Sequence, residues 1–467
     1  MSELSRLVAA LLRGDLGVPS ALLPRISRLE ALFRSRFTGQ ADSKVFLGFV
    51  PGRIEILGKH TDYAGGHSIV CAINKGFLFL AGPNELGRIR MAEDSNEFED
   101  LDFTLEPSLQ PAAGSWANYP MTMARRLAAN FSGDRRMTGA DIAFSSDMPV
   151  GSGMSGSSAL MMMTFCAISW TNQLHETDTF TRTIRDGIDL AMYMASCENG
   201  QTFRELKGDM GVGTFGGSED HTAILNCRAG RLSLFSYAPT IFKAEMQWPG
   251  EWSLVVAFSG IRAEKTGQAL EKYNLAARRA ALAVEAYNRQ FGTALRNLGE
   301  IVGHNRDRPD ARLLQNIERS DPEHTHLDLA GRVRHFLLEE GRYIPGAIRG
   351  LLRRDAEVFG AALTSSHRAS KRYLWNIAPE IDHLQHSAVS LGVSGATGFG
   401  AGFGGSIVAV LPAARAERFT QQWEEAYARR YPKAAREARF FRTAPGPGIM
   451  LWEMEGEKSL VEEMFDR

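Results

Sequence analysis

Three short glycine-rich segments concentrate the side chains that could do chemistry. The first, residues 51–66, places two cations, a histidine, a carboxylate and a phenol directly after a strand-like run. These side chains belong to Arg53, Lys59, His60, Asp62 and Tyr63. Loops carried by rigid strands commonly hold binding residues. Because so many polar groups share one short stretch, we interpret it as a ligand-binding loop rather than an incidental polar turn.

The second segment, residues 149–159, reads PVGSGMSGSSA and lies between a predicted strand and a predicted helix. Glycines allow the backbone to approach a ligand closely, and the N–H groups at a helix N-terminus suit a phosphate. The hydroxyls of Ser155, Ser157 and Ser158 could contact phosphate or Mg²⁺. The alternative is a tight turn that only caps the helix. The composition favours a phosphate-binding loop.

The same loop also contains a literal G-x-G-x-x-G at residues 151–156, followed about 20 residues later by Glu176 and Asp178. An NAD-dependent oxidoreductase is therefore a competing class. Against it, the loop is rich in serine and no βαβαβ series surrounds it. A Walker P-loop is excluded because Gly58-Lys59 is followed by histidine. A serine-hydrolase elbow, G-x-S-x-G, is excluded as well, because residues 153–157 read GMSGS and have serine where the motif requires its last glycine.

The third segment, residues 211–221, ends in the adjacent titratable side chains Glu219, Asp220 and His221. Any of the three could act as a general base. A fourth glycine run, residues 398–405, precedes an apolar strand and leaves close backbone packing and ligand contact equally open. Glycine loops without a Walker lysine indicate phosphate binding by backbone and helix dipole, which is a kinase-like arrangement.

The elements that must position these segments alternate between strands and helices. We predict strands at 45–50, 68–73, 76–80, 139–144, 253–259 and 407–411, a strand pair near 222–236, and helices at 116–129, 157–170, 264–288 and within 327–391. Residues 303–326, broken by two prolines, are predicted to form a loop or small insertion. This mixture predicts a two-domain α+β protein with a boundary near residue 245.

Composition limits the classes of partner and the compartment. The 467 residues carry 53 Lys+Arg and 54 Asp+Glu, so no global charge attracts nucleic acid or an anionic membrane. The four cysteines form no Cys-x-x-Cys pair, which predicts reduced thiols in a cytoplasmic protein. The most apolar stretch, 159–170, is shorter than the roughly 18 residues that a membrane helix needs. A small molecule is the expected partner, and the sequence does not indicate an oligomeric state.

Six segments, in order along the chain, resemble the motifs of the GHMP kinase superfamily and, within it, the galactokinase family. Residues 52–63 resemble its sugar signature G-R-[VI]-N-x-[IL]-G-E-H-x-D-Y, and residues 149–159 resemble its P-x-x-x-G-L-S-S-S-A loop. The other four resemble G-I-M-D-Q at 217–221, Y-N-x-x-R at 273–278, P-E-[IL]-D at 379–382 and G-A-G-F-G-G at 400–405.

The resemblance implies a fold and a reaction. The fold would be a two-domain GHMP kinase fold, with a half like ribosomal protein S5 domain 2 (residues 1–245) and a ferredoxin-like half (residues 246–467). The reaction would be Mg²⁺-dependent transfer of phosphate from ATP to the anomeric (C1) hydroxyl of a galactose-type sugar. It implies Asp220 as the catalytic carboxylate and Arg53 as its cationic partner, which is expected to lower the pKa of Asp220.

The remaining roles implied by the resemblance form three groups. ATP would be held by Pro149, Gly151, Ser152, Gly153, Met154, Ser155, Gly156, Ser157 and Ser158. Mg²⁺ would be held by Ser157 and Glu198. The sugar would be lined by Arg53, Lys59, His60, Asp62, Gly217, Asp220 and Tyr273.

Departures from the family pattern bear on the substrate. Lys59 replaces a glutamate that meets sugar hydroxyls in the family, Glu55 replaces an asparagine, and Phe399 replaces a threonine. If Lys59 faced the sugar, it could pair with a C6 carboxylate, and the substrate would be a uronic acid such as galacturonate. Otherwise neutral galactose is expected. A non-catalytic sugar sensor, like the oxidoreductase, is a further class.

Overall fold

The computed structural model describes residues 2–37, 44–95, 97–111, 114–263, 267–305, 310–320, 322–454 and 456–465, without the side chains of 267–273, 310, 320, 322 and 323. The strands are β1 Phe46–Leu57, β2 His67–Asn84, β3 Arg88–Glu93, β4 Leu101–Thr104, β5 Gly139–Ser146, β6 Arg231–Ser236, β7 Ile241–Gln247, β8 Trp252–Phe258, β9 Gly395–Gly398, β10 Ser406–Pro412, β11 Arg439–Thr443, β12 Pro445–Gly446, β13 Met450–Glu453 and β14 Gly456–Ser459.

The α-helices occupy most of the remaining chain. They are α1 Glu3–Arg13, α2 Leu23–Arg36, α3 Asn118–Phe131, α4 Gly156–Asn172, α5 Asp178–Thr183, α6 Gly187–Asn199, α7 Glu219–Asn226, α8 Gly267–Phe291, α9 Leu298–His304, α10 Asp310–Ser320, α11 Leu329–Leu338, α12 Ile344–Leu352, α13 Ala356–Ala369, α14 Pro379–Ser390, α15 Ala416–Arg430 and α16 Leu460–Phe465. No helix of the described ranges is long and apolar enough to cross a membrane.

The first sheet carries ten strands in the order β14-β13-β1-β2-β5-β3-β4, with β6 and β12 also pairing with β2, and β7 with β6. Its central strand β1 is buried along its whole length because both faces are covered. Leu47 and Phe49 pack with α1 and α2 on one face. Phe46 and Val50, one residue out of phase, pack into the main core with α3 and α4 on the other face.

Two register shifts interrupt the pairing of β1 with β2, between Pro51 and Arg53 and between Glu55 and Leu57. Such bulges bend a strand and re-aim its side chains. They fall in the predicted ligand-binding loop, so the polar part of that segment begins inside the strand. The two short strands predicted at 68–73 and 76–80 are one continuous strand, β2.

The second sheet has four antiparallel strands in the order β11-β8-β10-β9. Its outer face packs against α14 and α15 through a separate apolar cluster. The short strands β12, β13 and β14 return to the first sheet. Residues 246–467 therefore contribute to both sheets, and the domain boundary near residue 245 stays a prediction.

Two further local expectations were wrong. Residues 219–226 form helix α7 rather than a strand; its buried apolar residues Ala223, Ile224 and Leu225 are consecutive, so their spacing favours neither element. The predicted loop at 303–326 contains helix α10, whose apolar face is buried through Leu313, Leu314 and Ile317. All four cysteines are buried free thiols.

Candidate active site

The predicted loops meet around one cavity of about 420 Å³. Its walls come from the end of β1, the loop before α4, the segment before α7 and the glycine run before β10. Its lining includes Arg53, Glu55, His60, Asp62, Phe98, Trp116, Tyr119, Gly151, Ser152, Gly153, Ser155, Gly156, Ser157, Glu198, Gly217, Glu219, Asp220, Gly400 and Ala401.

Arg53 and Asp220 form a close ion pair inside this cavity. Arg53 Nη2 lies 2.6 Å from Asp220 Oδ1, and Arg53 Nη1 donates to the Gly153 carbonyl oxygen at 2.7 Å. Glu219 Oε1 lies 3.6 Å from Arg53 Nε. Burial opposes the charged guanidinium, but the carboxylates of Asp220, Glu219 and Glu55 outweigh it, so the pKa of Arg53 is raised. Arg53 thus stays cationic and joins the carboxylate to the glycine-serine loop.

The start of helix α4 is shaped to receive an anion. Ser155, at the N-cap, has left-handed backbone angles and does not use its side chain to cap the helix. Its buried Oγ has no hydrogen-bond partner among the described residues. The first N–H groups of α4 therefore lack a side-chain cap where the helix dipole is positive. Phosphate oxygens are the ligands that such a site accepts.

The C-terminal glycine run braces this loop. Ala263 N–H donates to the Gly151 carbonyl oxygen at 2.7 Å, and Ser406 Oγ donates to the Ser152 carbonyl oxygen at 2.7 Å. A Cβ added at Gly400 would lie 2.7 Å from the Gly153 carbonyl oxygen, so only glycine permits this approach. Residues 398–405 therefore combine the two possibilities that the sequence left open: they pack closely against this loop, and Gly400 and Ala401 also line the cavity, where a ligand could contact them.

Oxygen ligands for a cation lie beside this loop. Ser158 Oγ donates to Glu198 Oε2 at 2.8 Å and lies 3.4 Å from Asp220 Oδ2, while His221 Nε2 lies 3.3 Å from Glu198 Oε2. Ser157 and Glu198 both line the cavity. Within the described ranges, no group of three or more His, Cys, Asp or Glu side chains is arranged to hold a metal by itself. The donors fit Mg²⁺, which commonly combines one or two carboxylates with substrate phosphates and water.

His60 and Asp62 form the polar end of the cavity. With its Nε2 protonated, the His60 ring donates to the Ala401 carbonyl oxygen at 3.3 Å, and its Nδ1 accepts from the Tyr63 hydroxyl at 2.8 Å. Burial, together with the charges of Asp220 and Glu55, raises the pKa of Asp62 to about 6. These fixed donors and acceptors are suited to a polyhydroxylated ligand.

Glu219 is a further carboxyl group at this end. Burial raises the pKa of Glu219 well above its usual range, and the charges of Glu55, Asp62 and Asp220 act in the same direction against Arg53. The polar end is therefore dense in carboxyl groups.

Three predicted site residues lie elsewhere or outside the description. Lys59 does not line the cavity; its Nζ turns back to the Glu55 carbonyl oxygen at 2.5 Å and lies 3.6 Å from Glu55 Oε2. The expectation that Lys59 meets a substrate is therefore corrected, because the strand end turns its side chain into the protein. Met154 is fully buried in the core. Tyr273 lies on α8, but its side chain is outside the described part of the structure.

Ser158 and Glu55 also differ from expectation. Ser158 is buried behind the loop and reaches the cavity only through its bonds to Glu198 and Asp220. Glu55, which the sequence marked only as a departure from the family pattern, lines the cavity. The remaining predicted residues, seven of the loop, five of the polar end and Glu198, all line the cavity; they are Pro149, Gly151, Ser152, Gly153, Ser155, Gly156, Ser157, Arg53, His60, Asp62, Gly217, Asp220 and Glu198.

An aromatic wall forms another part of the cavity, and sequence reasoning missed it. Phe98 and Trp116 pack with their ring centroids 5.0 Å apart, and Tyr119 lies on the same wall. Flat apolar surfaces of this kind stack planar groups. The only sequence signal was an aromatic pair at the predicted start of helix α3.

Comparison with family models identifies three matching segments. Residues 31–83 match the galactokinase galactose-binding signature, residues 118–199 the N-terminal domain of GHMP kinases, and residues 347–429 the C-terminal domain of GHMP kinases. The first segment carries Arg53, His60 and Asp62, and the second carries the glycine-serine loop and Glu198.

Individual proteins agree with these models. The galactokinase of Enterococcus faecalis is 28% identical over 85% of this chain and 94% of its own length. That of Exiguobacterium sibiricum is 28% identical over 91% of this chain and 98% of its own length. The structure of Lactococcus lactis galactokinase complexed with galactose superposes with a TM-score of 0.73, covering 93% of this chain and 100% of that one at 21% identity.

Proposed function

The chain belongs to the GHMP kinase superfamily, and we propose that it is a sugar kinase that transfers the γ-phosphoryl group of ATP to the anomeric hydroxyl of galactose. The observation that carries the proposal is the Arg53–Asp220 pair, 2.6 Å apart, beside an uncapped helix N-terminus in one cavity. The galactose-binding signature lies on the polar wall of that same cavity.

We propose one orientation for ATP in the cavity, with adenine at the aromatic wall and the phosphates at the glycine-serine loop. The aromatic wall of Phe98, Trp116 and Tyr119 can stack the adenine ring. The glycine-serine loop and the first turn of α4 can bind the phosphate groups through backbone N–H groups. This direction brings the terminal phosphate to Arg53 and Asp220, next to the polar end where the sugar would bind.

Ser157 and Glu198 are the residues that would hold Mg²⁺. When bound, Mg²⁺ neutralises charge on the phosphate oxygens of the nucleotide. Ser158 orients Glu198 through its 2.8 Å hydrogen bond, and His221 faces the same carboxylate oxygen from the other side. These contacts hold the Glu198 carboxylate in place before any ligand binds.

Asp220 would orient the attacking sugar hydroxyl and accept its proton. Phosphoryl transfer leaves little covalent work for the protein, so positioning and charge stabilisation carry the catalysis. Arg53 is held by Asp220 on one side and by the Gly153 carbonyl oxygen on the other, so it can face the transferring phosphoryl group. Its rigid placement means that little reorganisation is needed at the moment of reaction.

Neutral galactose is favoured over a uronic acid. Lys59 pairs with Glu55 instead of lining the cavity, while Glu55, Asp62, Glu219 and Asp220 give the polar end an excess of carboxyl groups. A sugar carboxylate would be repelled there.

The oxidoreductase alternative loses its basis as well, because β5 lies between an antiparallel and a parallel neighbour in a mainly antiparallel sheet. A sugar sensor would have no use for the paired Arg53 and Asp220.

The test is release of ADP from MgATP in the presence of single monosaccharides: galactose, glucose, mannose, arabinose and galacturonate. We expect galactose to give the highest kcat/KM and galacturonate the lowest. ADP release that is independent of every sugar, or preference for galacturonate, would contradict the proposal.

A further inference from the structure

Glu55 is a buried carboxylate that the proposed reaction does not yet use. Its side chain is 4% exposed, and that small surface belongs to the wall of the cavity. Gly400 N–H donates to Oε2 at 3.1 Å, and Lys59 Nζ lies 3.6 Å from the same oxygen. The carboxylate is therefore held from the C-terminal loop and from its own strand.

The Lys59 side chain is held beside Glu55 by hydrogen bonds to the backbone of β1. Its Nζ donates to the carbonyl oxygens of Glu55 at 2.5 Å and Ile56 at 3.4 Å. The side chain is 4% exposed and stays outside the main cavity. Behind it lies Glu339, whose pKa is raised to about 7 by burial although the charge of Lys59 opposes this shift. Lys59 is thus buried beside Glu55, within electrostatic reach of Glu339, and lines a small second cavity with Gly398 and Gly400.

The buried Glu55–Lys59 ion pair is not explained by a contribution to the stability of the fold. Removing two charges from water costs free energy that their attraction often fails to recover, so a buried ion pair is weak evidence for stabilisation. The charge of Glu55 also adds to the effect of burial in raising the pKa of Asp62 and of Glu219. A carboxylate that is costly to bury and repels its neighbours, yet reaches the cavity wall, calls for a ligand contact.

Glu55 is adjacent to the sugar end of the cavity. It binds Gly400 N–H, and His60 binds the carbonyl oxygen of the next residue, Ala401. The two side chains therefore meet the same short turn of the C-terminal loop from β1 and from the turn that follows it. Any ligand that contacts His60 and Asp62 lies within reach of this wall.

We infer that Glu55 is a specificity-determining residue, which accepts a hydrogen bond from a hydroxyl group of the sugar, and that Lys59 is the positioning residue that fixes its carboxylate. This inference rests on the proposed sugar kinase function and deepens it. An ionised carboxylate is a strong acceptor for a neutral hydroxyl and a poor neighbour for an anionic substituent. It therefore selects neutral sugars.

The test combines one protein change with a series of sugars. Steady-state kinetics compare wild type and Glu55→Gln on galactose, 2-deoxygalactose and 6-deoxygalactose, with 3- and 4-deoxygalactose completing the set. We expect Glu55→Gln to raise KM for galactose about 10- to 100-fold, as for loss of a hydrogen bond to a charged group, with a much smaller change in kcat. For one deoxy sugar, which lacks the contacted hydroxyl, wild type and variant should have similar KM values.

Variants of Lys59 provide an independent test of the inference. Lys59→Met should raise KM for galactose as Glu55→Gln does, and the double variant should be no worse than Glu55→Gln alone, because both act through one carboxylate. Lys59→Arg, which keeps the charge, should recover part of the loss if Lys59→Met folds poorly. The matched control is Glu93→Gln, a buried glutamate of the same sheet that does not line the cavity.

The outcomes separate this inference from the proposed function. If wild type phosphorylates galactose but Glu55→Gln has an unchanged KM, the inference is overturned and the kinase function stands. An equal loss on every deoxy sugar would also overturn it, because the role would then be structural. If wild type phosphorylates no monosaccharide, the proposed function itself fails.

Discussion

Replacing Gly217 by alanine tests how tightly the sugar end is built. A Cβ at this position would lie 2.3 Å from Asp62 Oδ2, 2.5 Å from Cγ and 2.9 Å from Cβ. The backbone N–H groups of Tyr63 and Glu219 favour the ionised Asp62 carboxylate where it stands, so moving it away costs free energy. To reach ordinary contact distance it must retreat by about 1 Å, and a misplacement of this size can cost about 100-fold in rate.

We therefore expect Gly217→Ala to lower kcat/KM for galactose about 100-fold, mainly through KM. The assay is ADP release under saturating MgATP, with thermal unfolding measured in parallel. Gly133→Ala is the control, because a Cβ there meets no atom within 4 Å.

The double variant Asp62→Ala/Gly217→Ala separates the clash from a general loss of structure. Since removing the carboxylate removes the clash, the double variant should be no worse than Asp62→Ala alone. Near-native kcat/KM for Gly217→Ala, or simple additivity in the double variant, would refute the reasoning.

Three further predictions follow from the same cavity. Asp220→Asn should lower kcat about 10²- to 10⁴-fold without changing the far-ultraviolet circular dichroism, and a near-native kcat would place the base elsewhere. Because burial raises the pKa of Asp62 to about 6, protonation below that pH should remove its negative charge and turn one of its two acceptor oxygens into a hydroxyl donor. KM for galactose should thus rise about tenfold per pH unit on the acid side, and Asp62→Asn should abolish this dependence. Glu198→Gln should raise the Mg²⁺ concentration for half-maximal activity about 10- to 100-fold at saturating galactose, and an unchanged Mg²⁺ requirement would argue against Glu198 as a ligand.

Local signals in the sequence predicted the elements that carry the phosphate loop. Strand β5 and helix α4 were expected at 139–144 and 157–170 and occur at Gly139–Ser146 and Gly156–Asn172. Both are strongly apolar, and the glycines and serines between them mark the turn. Helix α7 was missed because a short apolar run looks alike in a strand and in a helix.

Contacts between residues that are far apart in the chain were harder to predict from the sequence. Arg53 and Asp220 are far apart in sequence, and only the family resemblance predicted that they would act together. The direction of Lys59 depends on where the bulges of β1 fall, which the residue types alone do not determine. The aromatic wall joins Phe98, which precedes β4, to Trp116, which precedes α3, and no periodic pattern in the sequence links the two residues. The C-terminal strands join the first sheet through pairing with β1 and β2, which no local signal indicated.

The role that we propose for the Arg53–Asp220 pair is phosphoryl transfer to the anomeric hydroxyl of galactose. It is measured most directly by ³¹P NMR of the products formed from MgATP and galactose by wild type and by Asp220→Asn. We expect one galactose 1-phosphate for each ADP with wild type and almost none with Asp220→Asn. A product phosphorylated at another hydroxyl, ATP hydrolysis without a sugar phosphate, or galactose binding without any turnover would contradict it.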